Sequence, residues 1–326
     1  MNELKNKLKG KKVIVTGGAG FIGSHVVDYC VKLEMEVYSI DIKKSDYSNC
    51  KACYTNIDIT SISHMFNFFN LIKPDFVVHC AALARIQPSF ERPNDYFRIN
   101  VLGTENVLKM SKSFGVKRVI YSASSSAYGN QNALPFTEEM TLPSQDLNPY
   151  ASTKRMGEML MKNLGVMTGG PETVCLRYFN VYGPRQATTA DGPYATVIGI
   201  FLDQVKQGKP MTVVQDGDQR RDFTHVFDVA RANVLAMISP KVGQGEIINI
   251  GFGKNHSIFD VCVKVICAKT EISEKKETFL LEERKDFVFI APRRGEVRAT
   301  LASISKAEKL LNWKPKISLS EGIKMC

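Results

Sequence analysis

The chain has 326 residues, 44% of them apolar and 23% charged, with a formal net charge of +10. These values fit a soluble globular protein of two domains, or of one domain with an added lobe. No apolar run reaches the ~18 residues of a membrane-spanning helix, and the Lys-rich first dozen residues lack the apolar stretch of a signal peptide, so a cytoplasmic protein is expected. The basic residues are scattered and no nucleic-acid motif accompanies them, so the charge points to solubility or an anionic small substrate. Of the eight cysteines, only Cys50 and Cys53 have metal or redox spacing. With no second pair and no flanking His, reduced thiols are the expectation.

In chain order, the first half alternates apolar runs with helical patterns, as in a parallel βαβ sheet. Residues 13–16 read as a β-branched strand, 21–33 as a helix, and 37–40 as a second strand ended by Asp41. A helical stretch around 64–72 stops at Lys73-Pro74, and 76–79 is a strand. Residues 100–113 are helical, 119–122 form a strand leading into a serine cluster, 150–164 read as one long helix, and 173–176 as a strand. Beyond 180, Gly183-Pro184, Gly192-Pro193, Gly208-Lys209-Pro210 and Asp216-Gly217 break the chain into short elements, where a second lobe begins. A helix at 225–237 and a strand at 246–250 return to the first domain. The expected fold is α/β, a Rossmann-like doubly wound parallel sheet with a smaller discontinuous C-terminal substrate lobe. The expected boundaries are 1–179 plus about 224–250 for the sheet domain, and about 180–223 plus 251–326 for the lobe.

Gly17, Gly20 and Gly23 form a G-x-x-G-x-x-G turn between strand and helix. Glycine there lets the backbone approach a pyrophosphate seated on the helix N-terminus, where Phe21 and Ile22 open the first turn. Asp41 ends the next strand, 18 residues after Gly23. A carboxylate there accepts hydrogen bonds from an adenosine ribose and repels a 2′-phosphate, which favours NAD over NADP. Asp58 and Ile59 follow the next apolar stretch and frame the adenine.

Tyr150 and Lys154 are four residues apart and share one helix face. An ammonium beside a phenol favours the phenolate, which makes Tyr150 a base although free tyrosine titrates near ~10. Lys154 also stands in reach of the nicotinamide ribose, and Ser124, after a strand, is placed to hydrogen-bond a reacting hydroxyl. With the dinucleotide turn upstream, the set points to hydride and proton removal at an alcohol carbon.

These motifs, with Val78-His79-Cys80-Ala81-Ala82-Leu83, Ser122-Ala123-Ser124-Ser125-Ser126-Ala127-Tyr128-Gly129, Leu176-Arg177-Tyr178-Phe179-Asn180-Val181-Tyr182-Gly183-Pro184-Arg185-Gln186 and Arg221-Asp222-Phe223-Thr224-His225-Val226, carry a resemblance. The chain resembles an extended short-chain dehydrogenase/reductase of the NAD-dependent epimerase/dehydratase branch, and is most similar there to UDP-glucose and UDP-N-acetylglucosamine 4-epimerases. The likeness runs from Val13 to Pro315.

The resemblance implies that Ser124, Tyr150 and Lys154 do the chemistry and that Ala81, Ala82 and Asn100 line the cofactor side. It implies that Tyr178 contacts the nicotinamide region and Asn180 the nucleotide-sugar. Cys80 departs from the larger residues frequent at its position. Dehydratases of the branch carry an Asp-Glu pair where this chain has Ser125 and Ser126, and hydroxyls supply no carboxyl acid or base. Loss of water is therefore disfavoured, which leaves oxidation at C4, rotation of the 4-keto sugar and hydride return.

Arg221 and Arg293 would clamp the diphosphate, and Glu296 would meet the ribose. The run 194–198, with Ala195 and Val197, would pack around uracil. Thr300 matches a position near the sugar C2 substituent, where a small residue admits an N-acetyl group. A UDP-glucuronate-type 4-epimerase, a 4,6-dehydratase and a plain dehydrogenase or reductase remain alternatives within the fold. An NAD-sensing binding protein is the non-enzyme alternative, although such proteins usually lose the Tyr or Lys. The family usually forms homodimers through helices matching 100–114 and 150–164.

Overall fold

The computed structural model describes residues 2–214, 216–270 and 287–326. Seven parallel strands form the central sheet: β1 (Lys12–Thr16), β2 (Glu36–Asp41), β3 (Ala52–Asn56), β4 (Phe76–His79), β5 (Arg118–Ser124), β6 (Glu172–Tyr178) and the strand Gln244–Ile250. Their spatial order is β3-β2-β1-β4-β5-β6 followed by Gln244–Ile250, so the winding reverses between β1 and β4. In an open parallel sheet, ligands bind in the crevice beyond the carboxyl ends of the strands at such a reversal.

β1 shows why these residues form a central strand. Val13, Ile14 and Val15 are all fully buried, which is the continuous apolar run of a strand covered on both faces. Val13 and Val15 join one apolar cluster and Ile14 the other, because successive side chains point to opposite faces. The first cluster holds helix Phe21–Lys32 packed on helix Val226–Ile238. The second holds helices Ile62–Ile72 and Gly103–Ser113. Helix Pro149–Leu160 packs along β5.

A third cluster, around Phe201, Val213, Val261 and Ile323, gathers helices Val197–Lys206, Ile258–Thr270 and Leu319–Lys324. Two short pairs go with it, Met211–Val214 parallel to Phe287–Ile290 and Arg220–Asp222 antiparallel to Asn255–Ser257. Part of the expected C-terminal lobe, residues 271–286, lies outside the described residues.

Several elements differ from the sequence reading. β3 is an extra strand at the sheet edge, and its half-exposed ACYTN has no apolar run to mark it. Helices Ile86–Glu91 and Pro93–Phe97 each carry a proline, which masks the helical pattern. The helix expected from 100 opens as the π-turn Arg98–Leu102, and the one expected to reach 164 closes as the π-turn Met161–Val166. Among the described residues, no helix is long and apolar enough to cross a membrane.

Candidate active site

The loop after β1 is closed tightly on itself. Gly17 has φ +70°, and a Cβ there would lie 2.6 Å from the backbone nitrogen of Ala81. A Cβ on Gly23 would lie 2.1 Å from the carbonyl of Gly17. Helix Phe21–Lys32 starts from Gly20, with no side-chain cap and no acid in its first turn. Its first N–H groups, at Phe21 and Ile22, are left for an anion by this uncapped start. Asp41 accepts hydrogen bonds from the backbone N–H groups of Ala19 and Lys43, each at 3.1 Å, so its carboxylate stands beside the loop. These residues fit the pyrophosphate and adenosine ribose of NAD. Asp58 closes its own turn by accepting from the N–H and hydroxyl of Thr60, each at 2.8 Å. Ile59 follows it directly in the chain. Its side chain is buried in the core, where a Cβ on Gly103 would come within 2.5 Å of it.

A chain of hydrogen bonds ties β1 to β4 and to the helix beyond. The Ala81 N–H donates to Thr16 Oγ1 at 3.1 Å, and Thr16 Oγ1 lies 2.7 Å from His79 Nδ1. His79 Nε2 lies 2.9 Å from Thr104 Oγ1, whose hydroxyl donates to the Asn100 carbonyl at 2.6 Å. Thr104 has its proton committed, so His79 donates from Nε2 and accepts at Nδ1. Burial, aided by the nearby Lys154 charge, pushes the imidazole down to about 3, so it is neutral. Asn100 is buried and acts as a clamp. It accepts from the Leu83 N–H at 2.8 Å and donates to the Leu83 carbonyl and Thr153 Oγ1, each at 3.0 Å. It therefore holds the half-buried Ala81-Ala82 segment against the Tyr150 helix.

β5 ends at Ser124, paired in register with Tyr178 on β6. Ser124 Oγ caps the short turn Ser125–Tyr128, accepting from the Ser126 N–H at 3.2 Å and the Ser126 hydroxyl at 2.9 Å. Helix Pro149–Leu160 has proline at its start and Asn148 as its cap, accepting from the Ala151 N–H at 2.9 Å. Gly157 lets this helix lie against β5, since a Cβ there would sit 2.0 Å from Tyr121 Oη. The structure thus brings Ser124, Tyr150 and Lys154 to one place, with Ser124 the polar side chain that pulls the Tyr150 phenol down.

The electrostatics differ from the sequence reading. Lys154 Nζ donates to the Ser122 carbonyl at 2.8 Å and lies 5.1 Å from the centre of the Tyr121 ring. Burial pushes this lysine down to about 8. The Tyr150 phenol is raised by burial, and the influences that pull it back are the Ser124 hydrogen bond and the charge of Arg85. Tyr178 is turned inward, its hydroxyl donating to Asn233 Oδ1 at 2.9 Å and lying 3.2 Å from Ser122 Oγ. Cys80 accepts from Ser122 Oγ at 3.3 Å, and burial pushes its thiol up to about 11.

On the substrate side, Asn180 and Thr300 meet. Asn180 Nδ2 donates to the Asp222 carbonyl at 3.0 Å and lies 3.4 Å from Thr300 Oγ1. Thr300 is buried, and its oxygen accepts from the Asp222 N–H at 3.2 Å. The Asp222 carboxylate gathers three N–H donors, from Phe252 at 2.6 Å and from Gly253 and Ala302 at 3.0 Å each. Arg221 donates to the carbonyls of Arg220 and Arg298 at 3.1 and 3.3 Å, with Glu296 the acid acting on its charge. Exposed Arg293 lies 3.9 Å from Glu296, so the two expected phosphate ligands share one acid. Ala195 and Val197 are half-buried at the start of helix Val197–Lys206, which Thr196 caps.

Comparison with known proteins decides the family. Residues 13–251 match the model of the NAD dependent epimerase/dehydratase family. The chain belongs to this family. It is 37% identical to a putative UDP-glucose 4-epimerase of Methanocaldococcus jannaschii, over 96% of each chain. It is 34% identical to a UDP-glucuronate 4-epimerase of Thermodesulfobacterium geofontis, over 95% of this chain and 93% of the relative. A solved UDP-N-acetylglucosamine 4-epimerase of Methanobrevibacter ruminantium, in complex with UDP-N-acetylmuramic acid, is 29% identical with a TM-score of 0.84 over 98% and 97% of the two chains. The protein is therefore an NAD-dependent enzyme of the epimerase/dehydratase family.

Sequence reasoning missed His79, Thr16 and Thr104, whose signal was a polar residue closing an apolar strand or facing one. It also missed Arg85. This residue donates from Nε to the Tyr194 carbonyl at 2.8 Å, beside Arg92, which donates to the Tyr194 hydroxyl at 2.6 Å. No local pattern marks Arg85, because its neighbours come from three separate segments.

Proposed function

We propose that the protein is a UDP-hexose 4-epimerase whose preferred pair is UDP-GlcNAc and UDP-GalNAc, with UDP-Glc and UDP-Gal also accepted. The observation that carries this reading is the trio Ser124, Tyr150 and Lys154 beside hydroxyls, not carboxyls, at Ser125 and Ser126. Tyr150 takes the proton of the C4 hydroxyl while Ser124 hydrogen-bonds that oxygen. Lys154 holds the end of β5 through the Ser122 carbonyl. Bound NAD supplies the hydride acceptor at C4 and the hydride that returns to the other face of the 4-keto sugar. Gly17, Gly20, Gly23 and Asp41 hold that cofactor, and Arg221 and Arg293 hold the diphosphate.

Thr300 supports the N-acetyl preference, since a small side chain beside Asn180 leaves room at C2. The same reading divides the chain into 1–179 plus about 224–250 and the remaining lobe, and the separate cluster around Phe201 and Val261 supports that division. It also includes a homodimer. Leu102, Met156 and Met159 are 42%, 40% and 60% exposed on helical segments that pack side by side, an apolar face suited to a second copy.

The test is incubation of the purified protein with UDP-GlcNAc and no added NAD, with the sugars resolved by NMR. UDP-GalNAc is the expected product. A 4-keto-6-deoxy sugar would overturn the reading of Ser125 and Ser126, and turnover of UDP-glucuronate alone would replace the sugar.

A further inference from the structure

Arg85 stands between the two ends of the candidate substrate site. It precedes the short helix Ile86–Glu91, which packs on the Tyr150 helix. Tyr96 joins the two. Its hydroxyl donates to the Ala84 carbonyl at 2.6 Å and lies 3.1 Å from the Arg85 carbonyl, and its ring stands edge-on to Tyr150 with centroids 6.3 Å apart. On the other side, Arg85 Nε donates to the Tyr194 carbonyl at 2.8 Å, at the head of the run 194–198 assigned to uracil. Arg92, at the far end of the same short helix, donates to the Tyr194 hydroxyl at 2.6 Å. A hexose that hangs from a uridine diphosphate and reaches Tyr150 spans these same two points.

Arg85 is half-buried, and its backbone is held at φ +86°, in the left-handed region that non-glycine residues rarely adopt. Its Nε carries the bond to Tyr194. Among the described residues neither terminal nitrogen has an acceptor, and no acid stands within ion-pair distance. The other arginines nearby are engaged. Arg293 lies 3.9 Å from Glu296, Arg221 donates to two carbonyls, and the Arg294 guanidinium lies 4.4 Å from the centre of the Phe90 ring. Arg221 and Arg293 already match the two charges of a diphosphate, so Arg85 is a further cation that a neutral hexose leaves unused. A half-buried charge without a partner is costly, and a guanidinium fork fits a carboxylate with two parallel hydrogen bonds.

We propose that Arg85 is a specificity-determining residue that binds a carboxylate carried by the hexose, so that the site takes acidic UDP-N-acetylhexosamines as well as the neutral pair. The carboxylate is C6 of a uronic acid or an acid linked to the ring through an ether, and both present the same planar anion to the fork. This inference rests on the proposed function, in which the hexose lies between Tyr150 and the run 194–198.

The test is isothermal titration of the whole protein, as purified, with UDP-GlcNAc, with the UDP-N-acetylhexosaminuronate that carries its carboxylate at C6, and with UDP-N-acetylmuramic acid, which carries it on an ether at C3. At least one acid is expected to bind about tenfold or more tighter than UDP-GlcNAc, and which acid does so separates the two sources. In Arg85→Gln the ratio of acidic to neutral affinity is expected to fall by that factor. In Arg85→Lys, which keeps the charge and loses the fork, it should recover in part. If Arg85→Gln does not fold, the methyl ester of the preferred acid makes the same comparison on the unsubstituted protein, where it should bind no tighter than UDP-GlcNAc. Acids that bind no tighter than UDP-GlcNAc would overturn the proposal. So would an ester as tight as its acid, or a loss in Arg85→Gln shared equally by acidic and neutral sugars, which makes Arg85 a tether of Tyr194 or a diphosphate ligand. Binding is read without turnover, so absence of epimerisation refutes the proposed function and leaves these ratios to decide the role of Arg85.

Discussion

The ammonium of Lys154 donates to the carbonyl of Ser122 at 2.8 Å, two residues before Ser124 on the same strand. The lysine of the Tyr-x-x-x-Lys pair thus braces the strand end that carries Ser124. It does so from a buried position that lowers its proton affinity.

That burial has a pH signature. The unfolded lysine titrates near 10.5 and the folded one near 8. Between those values the unfolded chain binds more protons, so stability rises with pH across the window and is held back by a constant amount below it. Lys154→Met removes this dependence. Its stability advantage over the unsubstituted protein is expected to shrink by roughly 3 kcal/mol between about pH 7 and pH 10.5. Denaturant melts of the cofactor-free protein at both ends of the window measure it. A difference that does not change with pH would place the lysine in water.

Tyr150→Phe removes the proposed proton acceptor and keeps the ring packed against Tyr96. Turnover should fall by about 10²–10⁴-fold while NAD still copurifies, as read by absorbance of the released cofactor. Unchanged turnover would remove Tyr150 from the chemistry.

Asp222 draws three N–H groups, from Phe252, Gly253 and the buried Ala302, onto one buried carboxylate. Asp222→Ala removes the acceptor of all three; a buried unsatisfied donor such as Ala302 costs about 1–3 kcal/mol, and the two part-buried bonds add to that. A loss of about 3 kcal/mol or more is expected in urea denaturation. A loss under about 1 kcal/mol would mean that water takes over the donors.

Thr300→Tyr narrows the space beside Asn180. Turnover of UDP-GlcNAc is expected to disappear while turnover of UDP-glucose survives, measured with both sugars in parallel. Equal loss of both would show that position 300 does not read the C2 substituent.

Met156→Glu with Met159→Glu places charge on the exposed apolar face of the Tyr150 helix. Sedimentation is expected to show a dimer in the unsubstituted protein and a monomer in the double variant. A monomer in both would remove the homodimer.

What the sequence determined by itself is what rests on near neighbours. The β-branched run of β1, the glycines that follow it and the acid that closes β2 lie within 30 residues of one another. Each is a backbone requirement that only certain side chains meet. The four-residue spacing of Tyr150 and Lys154 placed both on one helix face for the same local reason. β3 and the proline-bearing helices before residue 98 were not legible, because half-exposed or proline-broken segments carry no clean period.

Only the tertiary structure decided where the polar groups on those elements point. Spacing could put Lys154 beside Tyr150, but the nearest unmet acceptor for its ammonium is a carbonyl on β5, 32 residues earlier. Asn100 met Leu83 and Thr153, and Tyr178 met Asn233, across separations that no local pattern encodes. A buried hydrogen-bonding group takes the partner that packing brings within reach.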